Sequence, residues 1–165
     1  MFNSLIFRSF PNLFVLFFIF FELTPNYFFE NQMIKPLMFF SILYCWLIND
    51  FKRFPPISIF IFCNLYDLIQ GGAVGVTALF FLFLQYTQRR KFNHLISNDF
   101  KETWMKFIIS LTLYLSITSI TRLFFDTEAI VLKNLIVCFI LSIALFPLFF
   151  SITDKLSYKF RNYNE

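Results

Sequence analysis

Apolar residues in this chain come in long runs broken by short polar or glycine- and proline-containing punctuation. Six such runs can be bounded, Pro11 to Phe29, Pro36 to Phe51, Pro55 to Gln70, Val74 to Gln88, Trp104 to Phe125 and Ile130 to Ser151. Crossing a hydrocarbon core takes roughly 20 apolar residues, with about 17 to 25 as the usual range. The six runs therefore predict about six transmembrane helices in an all-α integral membrane protein, formed as one polytopic membrane domain over residues 1–165. Several runs are short, which implies local thinning of the bilayer or helix ends covered by protein. Gly71, Gly72 and Ala73 are all that separates the third run from the fourth, so these two form a tight hairpin. Its glycines supply either close backbone approach or positive φ.

Composition excludes the soluble alternative. Of 165 residues, 58% are apolar, 15% are charged and 29 are Phe. One soluble core could not hide that much apolar surface. The formal charge of +4 points to orientation rather than to nucleic acid, because the basic residues punctuate the runs and form no patch. Arg8, Lys52, Arg53, Arg89, Arg90, Lys91, Lys101, Lys106, Lys155, Lys159 and Arg161 fall on one side of a six-span topology, and only Lys35, Arg122 and Lys133 on the other. Short basic loops stay in the cytoplasm, which places both termini inside and the glycine hairpin outside. The stretch from Glu22 to Pro25 lacks a small-residue cleavage pattern, so the first helix is expected to remain as an anchor.

Candidate chemistry is sparse. Cys45, Cys63 and Cys138 lie in separate apolar runs without metal-ligand spacing, and the single histidine, His94, sits in a basic loop. No phosphate-binding loop, HExxH, GxSxG or aspartate cluster is present, so neither an enzyme nor a cofactor or metal site is expected. Glu22 and Asp67 interrupt apolar runs, where an acidic residue at a helix centre costs roughly 2.5 to 3.5 kcal/mol. Asn64, Asp67, Gln70 and Gly71 share one helical face, on which Asp67 either caps the hairpin or serves a functional polar stripe. Glu22, close to Pro25, reads as an interfacial or helix-breaking residue. Ser110, Tyr114, Thr118, Thr121 and Arg122 form a second stripe, worth only about 0.6 kcal/mol per interhelical hydrogen bond. Arg122 either snorkels to the outer surface or pairs with Asp67 inside the bundle. Glu22, Asn64 and Arg122 are thus the candidate intramembrane polar cluster, and Asp67, Gly71, Gly72 and Gly75 the candidate structural or partner-binding hairpin.

The second to fourth runs carry a family likeness. Pro36 opens an apolar run that closes on Tyr44 and Trp46, and the third run ends in Asp67-Leu68-Ile69-Gln70-Gly71-Gly72-Ala73-Val74-Gly75-Val76. Leu145, Phe146 and Pro147 stand in a late helix ahead of a basic tail. This combination resembles the bacterial rod-shape-determining protein family MreD, most closely from Pro36 to Tyr86. Cys63 departs from the pattern, because the family often has glycine one turn before the aspartate. The resemblance implies a non-enzymatic, multi-pass component of the bacterial cytoplasmic (inner) membrane. Such a component would bind MreC and couple, directly or indirectly, MreB filaments to the peptidoglycan polymerase RodA and the elongation transpeptidase. It also implies a fold similar to the substrate-binding subunit of energy-coupling-factor transporters, which supplies the alternative of a small-molecule- or lipid-binding transporter subunit. Few polar groups are available to line a pocket in that alternative, and the helices are mostly suited to contact with membrane lipids and with one another.

Overall fold

The computed structural model describes residues 2–23, 35–49, 54–71, 73–91, 100–125 and 132–162. All regular structure among them is helical: α1 Phe2–Leu23, α2 Met38–Asn49, α3 Pro56–Gln70, α4 Val76–Lys91, α5 Phe100–Phe125 and α6 Leu132–Asn162. Residues 24–29 of the first predicted run, the Lys52 and Arg53 turn, Gly72 and the loop holding His94 lie outside the described residues.

Local sequence accounts for several helix ends. Pro55 in extended backbone and Pro56 at the first helical position start α3, where a missing N–H costs nothing. Gly71 ends it in the left-handed conformation, φ 66°, and its N–H donates to the Asp67 carbonyl. Pro11 and Pro147 stand inside α1 and α6, where each removes one helical hydrogen bond.

The helices differ in length by more than the apolar runs suggest. α5 and α6 hold stretches long and apolar enough to cross a membrane, Phe100–Phe124 and Lys133–Lys159, whose 18-residue apolar segments have mean hydropathy 1.6 and 2.8 and are only 22% and 17% buried. At about 1.5 Å per residue, α2 with its 12 residues spans only ~18 Å, well under the roughly 30 Å of a hydrocarbon core. Its surroundings explain how it is tolerated. Every residue from Phe39 to Leu47 is buried, so protein covers α2 on all sides and it is apolar all round.

Two polar pins set α2 against α6. The Leu37 N–H donates to Ser142 Oγ at 2.9 Å, and Asn49 Nδ2 donates to Thr153 Oγ1 at 3.4 Å. The sequence separations, 105 and 104, are almost equal, so the two helices run parallel and in register. α1 runs antiparallel to them, since Glu22 at its end meets Phe39 at the start of α2 and Phe18 meets Phe149. α5 runs antiparallel to α6, through Phe107 on Phe146 and Phe100 on Phe150. The beginning of α1 and the end of α6 therefore lie at the same end of the bundle.

Between α2, α4, α5 and α6 the core is aromatic. Phe40 packs on Phe80, Phe81, Phe107 and Tyr114, and Tyr44 packs on Phe107 and Phe146. The tightest pair is Phe107 stacked on Phe146, with centroids 4.0 Å apart and both rings fully buried. Phe146→Ala should therefore destabilise the bundle by roughly 3 to 5 kcal/mol. Leu148→Ala, two residues on and exposed, should leave it nearly unchanged. Thermal unfolding of the two purified variants in detergent measures the difference, and equal midpoints would contradict this packing.

Outward positions are apolar as well, including Leu13 and Phe17 on α1, Phe60 on α3, Leu79 and Phe83 on α4, and Ile109, Leu113 and Phe124 on α5. Exposed apolar rows on every side of a packed interior are what a bilayer covers.

Candidate functional site

Polar side chains gather at the end of the bundle where α1 ends and α2 begins, and every helix contributes to this layer. Glu22 is its centre. α1 continues through it to Leu23, and the residue is only 4% exposed, so its side chain is enclosed by the protein. Its carboxylate accepts from the Phe39 N–H at 3.0 Å and from the Tyr66 hydroxyl at 2.8 Å, which ties α1 to the start of α2 and the end of α3. Lys35 Nζ donates to the Glu22 carbonyl at 2.8 Å, placing a cation where the final carbonyls of α1 need donors. Tyr66 also stacks on Phe39 at 4.5 Å, so its ring is fixed by packing and its hydroxyl by Glu22.

Asp67, one residue on from Tyr66, serves the α3–α4 hairpin. Its Oδ2 accepts from the Gly75 N–H at 2.8 Å and from the Thr77 N–H at 3.2 Å, two donors that open α4 and have no carbonyl ahead of them. A carboxylate there also complements the positive end of the helix dipole. The Thr77 hydroxyl in turn shares a 2.9 Å hydrogen bond with Tyr114 of α5, extending the layer across the bundle. Ser142, which accepts from Leu37, brings in α6.

The hairpin glycines are required by backbone conformation and not by crowding. Gly71 and Gly75 hold φ of 66° and 98°. A side-chain carbon at Gly75 would meet only Asn64 Oδ1, at 3.9 Å, and one at Gly71 would meet nothing within 4 Å. Of the two roles that the sequence left open for the hairpin glycines, Gly71 and Gly75 serve positive φ, where other residues are strained. Cys63, standing where the related pattern has glycine, is wholly buried in the core.

Other sequence candidates are not brought into the layer. Arg122 is exposed, and the Asp67 carboxylate is engaged by the start of α4, so the Asp67–Arg122 ion pair is not formed. Asn64 donates to the Phe60 carbonyl of its own helix at 2.8 Å, so Glu22, Asn64 and Arg122 do not form one cluster. Along α5, Tyr114 reaches Thr77 of α4 by its side-chain hydrogen bond, whereas Thr118 and Thr121 turn back to the Leu115 and Thr118 carbonyls. Tyr66, Thr77, Ser142 and Lys35 were missed as site residues. Only Tyr66 carried a signal, as a polar-tipped aromatic beside Asp67 in an otherwise apolar run.

Chemically, the layer consists of donors and acceptors that answer one another. Among the described residues no group of three His, Cys, Asp or Glu side chains stands close enough to hold a metal ion. Comparison with protein families matches residues 4–156 to the family described as rod shape-determining protein MreD. Neither the curated proteins nor the solved structures yield a match.

Proposed function

The chain belongs to the MreD family of rod-shape-determining membrane proteins, and from that premise we propose that it acts without catalysis, as a scaffold in the cell-wall elongation complex of the inner membrane. Its direct partner in this reading is MreC, held at the end of the bundle formed by the α3–α4 hairpin and the polar layer. MreB, RodA and the elongation transpeptidase are linked through that contact or beside it. The orientation follows from the basic residues, with both termini in the cytoplasm and the hairpin facing outward.

One observation supports scaffolding over small-molecule binding. Glu22, Asp67, Tyr66, Thr77 and Tyr114 find their partners in the protein itself, and Phe39, Phe40, Phe81, Phe107 and Phe146 fill the space between the helices. A ligand site needs polar groups that converge on a space and remain free to bond. The likeness to the substrate-binding subunits of energy-coupling-factor transporters is proposed for the helical frame alone, since a frame does not carry a function.

The test is recovery of MreC with the tagged protein from native membranes. At matched membrane levels, Gly75→Leu should lower recovery several-fold, because it strains the turn that presents the hairpin. Phe83→Leu, on an exposed face of α4, should recover as much MreC as the unaltered chain. Full recovery with Gly75→Leu would place the contact elsewhere and sink the hairpin assignment.

A further inference from the structure

The far end of α6 is built differently from the rest of the bundle. With 31 residues at about 1.5 Å each, α6 is ~46 Å long and exceeds the roughly 30 Å hydrocarbon core by about 16 Å. It also outruns its partner α2, which ends at Asn49, level with Thr153 through their hydrogen bond. Beyond that level the helix becomes two-faced. Thr153 and Ser157, one turn apart, are buried, whereas Lys155, Tyr158 and Lys159 are exposed.

The exposed face is continuous with the apolar one above it. Leu148, Ile152, Lys155 and Lys159 are all exposed and follow one another at helical intervals of four, three and four, on a single stripe. Along that stripe the chemistry changes from aliphatic to cationic, with the aromatic Tyr158 beside the two lysines and 68% exposed. Neither Lys155 nor Lys159 forms an ion pair among the described residues, in contrast to Lys106, which pairs with Glu102. Asp154 is the nearest carboxylate in sequence. It is exposed as well and forms no ion pair with either lysine.

We propose that Lys155, Tyr158 and Lys159 form a binding surface for the headgroups of anionic phospholipids. The order of groups along the stripe carries this assignment. Leu148 and Ile152 match acyl chains, and beyond them Lys155, Tyr158 and Lys159 set two ammonium groups about an amphipathic phenol at the level of the headgroups. An acidic protein segment would be met by the charge alone and would not call for the aliphatic approach to it. The orientation proposed above decides only which leaflet supplies the lipid, here the cytoplasmic one, so the test is made in detergent, where there are no leaflets.

Full-length protein is purified in mild detergent, equilibrated with equimolar dioleoylphosphatidylglycerol and dioleoylphosphatidylcholine, and the lipids retained are counted by native mass spectrometry. The unaltered chain should retain the anionic lipid preferentially. The double variant Lys155→Gln, Lys159→Gln should lose that preference by roughly thirtyfold, on the scale of two lysines near an anionic surface. Lys133→Gln, at the opposite end of the same helix, removes a single lysine and should change it by no more than about fivefold. An unchanged preference in the double variant, or an equal loss in Lys133→Gln, would overturn the proposal. It would be overturned too if the double variant kept the lipid preference but lost an acidic protein that accompanies the unaltered chain. Because the altered side chains are exposed, thermal midpoints should stay within about 2 °C, and a larger fall would mean that these lysines support the fold.

Discussion

Glu22→Leu should be among the most destabilising single substitutions in this protein, lowering its thermal midpoint in detergent by on the order of 10 °C. Leucine fits the apolar surroundings, so steric conflict is not the cause. What it removes is the acceptor for two buried donors, the Phe39 N–H and the Tyr66 hydroxyl. Each unsatisfied donor costs roughly 1 to 3 kcal/mol. At about 2 to 4 °C per kcal/mol for a chain of this size, their sum accounts for the expected shift. Glu22→Gln separates the charge from the hydrogen bonds. Its amide oxygen can accept from Phe39 while its NH2 donates to the Tyr66 oxygen, so the loss should be near 1 kcal/mol. Tyr66→Phe leaves the Phe39 bond intact and should fall between the two. Fluorescence-detected size-exclusion after heating measures all three, and a Glu22→Leu midpoint within about 2 °C of the unaltered chain would refute the role assigned to this carboxylate.

Asp67→Leu should release the start of α4, with hydrogen exchange at Gly75 and Thr77 accelerated by two orders of magnitude or so. The two N–H groups that share Asp67 Oδ2 stand at the start of the helix, and Thr77 is buried. The loss of a capping acceptor costs about 0.5 to 2 kcal/mol, and the buried donor adds to it. Asp67→Asn keeps an acceptor of the same size and forgoes only the attraction of a charge to the helix end, roughly 0.3 to 1 kcal/mol. It should therefore exchange slowly and support rod shape, whereas Asp67→Leu supports it poorly. Gly75→Ala tests the other half of the turn, since φ of 98° strains alanine even where there is room for its methyl group. Equal exchange rates in Asp67→Leu and Asp67→Asn would show that this side chain does not hold the hairpin.

Much of the scaffold was legible in the chain itself. Pro55 and Pro56 mark the start of α3, the glycine turn marks its end, and each of the six apolar runs overlaps one helix of the structure, although α1, α4, α5 and α6 extend beyond their runs. These features are local, because proline, glycine and a run of apolar side chains act within a few residues of themselves. The importance of Asp67 was legible for the same reason, since its bonding partners are only eight and ten residues away.

Glu22 is the opposite case. Its partners are 17 and 44 residues distant, and Ser142 meets Leu37 across 105 residues. Nothing near these positions in the chain announces the pairing. The Phe-rich runs present nearly the same apolar surface on every face, so periodicity could not tell α2, enclosed by protein, from α3, which exposes Ile57, Phe60 and Ile61. The sequence by itself determined that the helices form, where they turn, and that apolar surface far exceeds what one core can hide. Only the tertiary structure decided which helix lies at the centre, that Arg122 stays outside, and that a carboxylate read as interfacial joins three helices. The physical reason is that burial of apolar surface is non-directional and admits many arrangements of six such helices. The few buried polar groups, each of which must find a partner, discriminate among those arrangements.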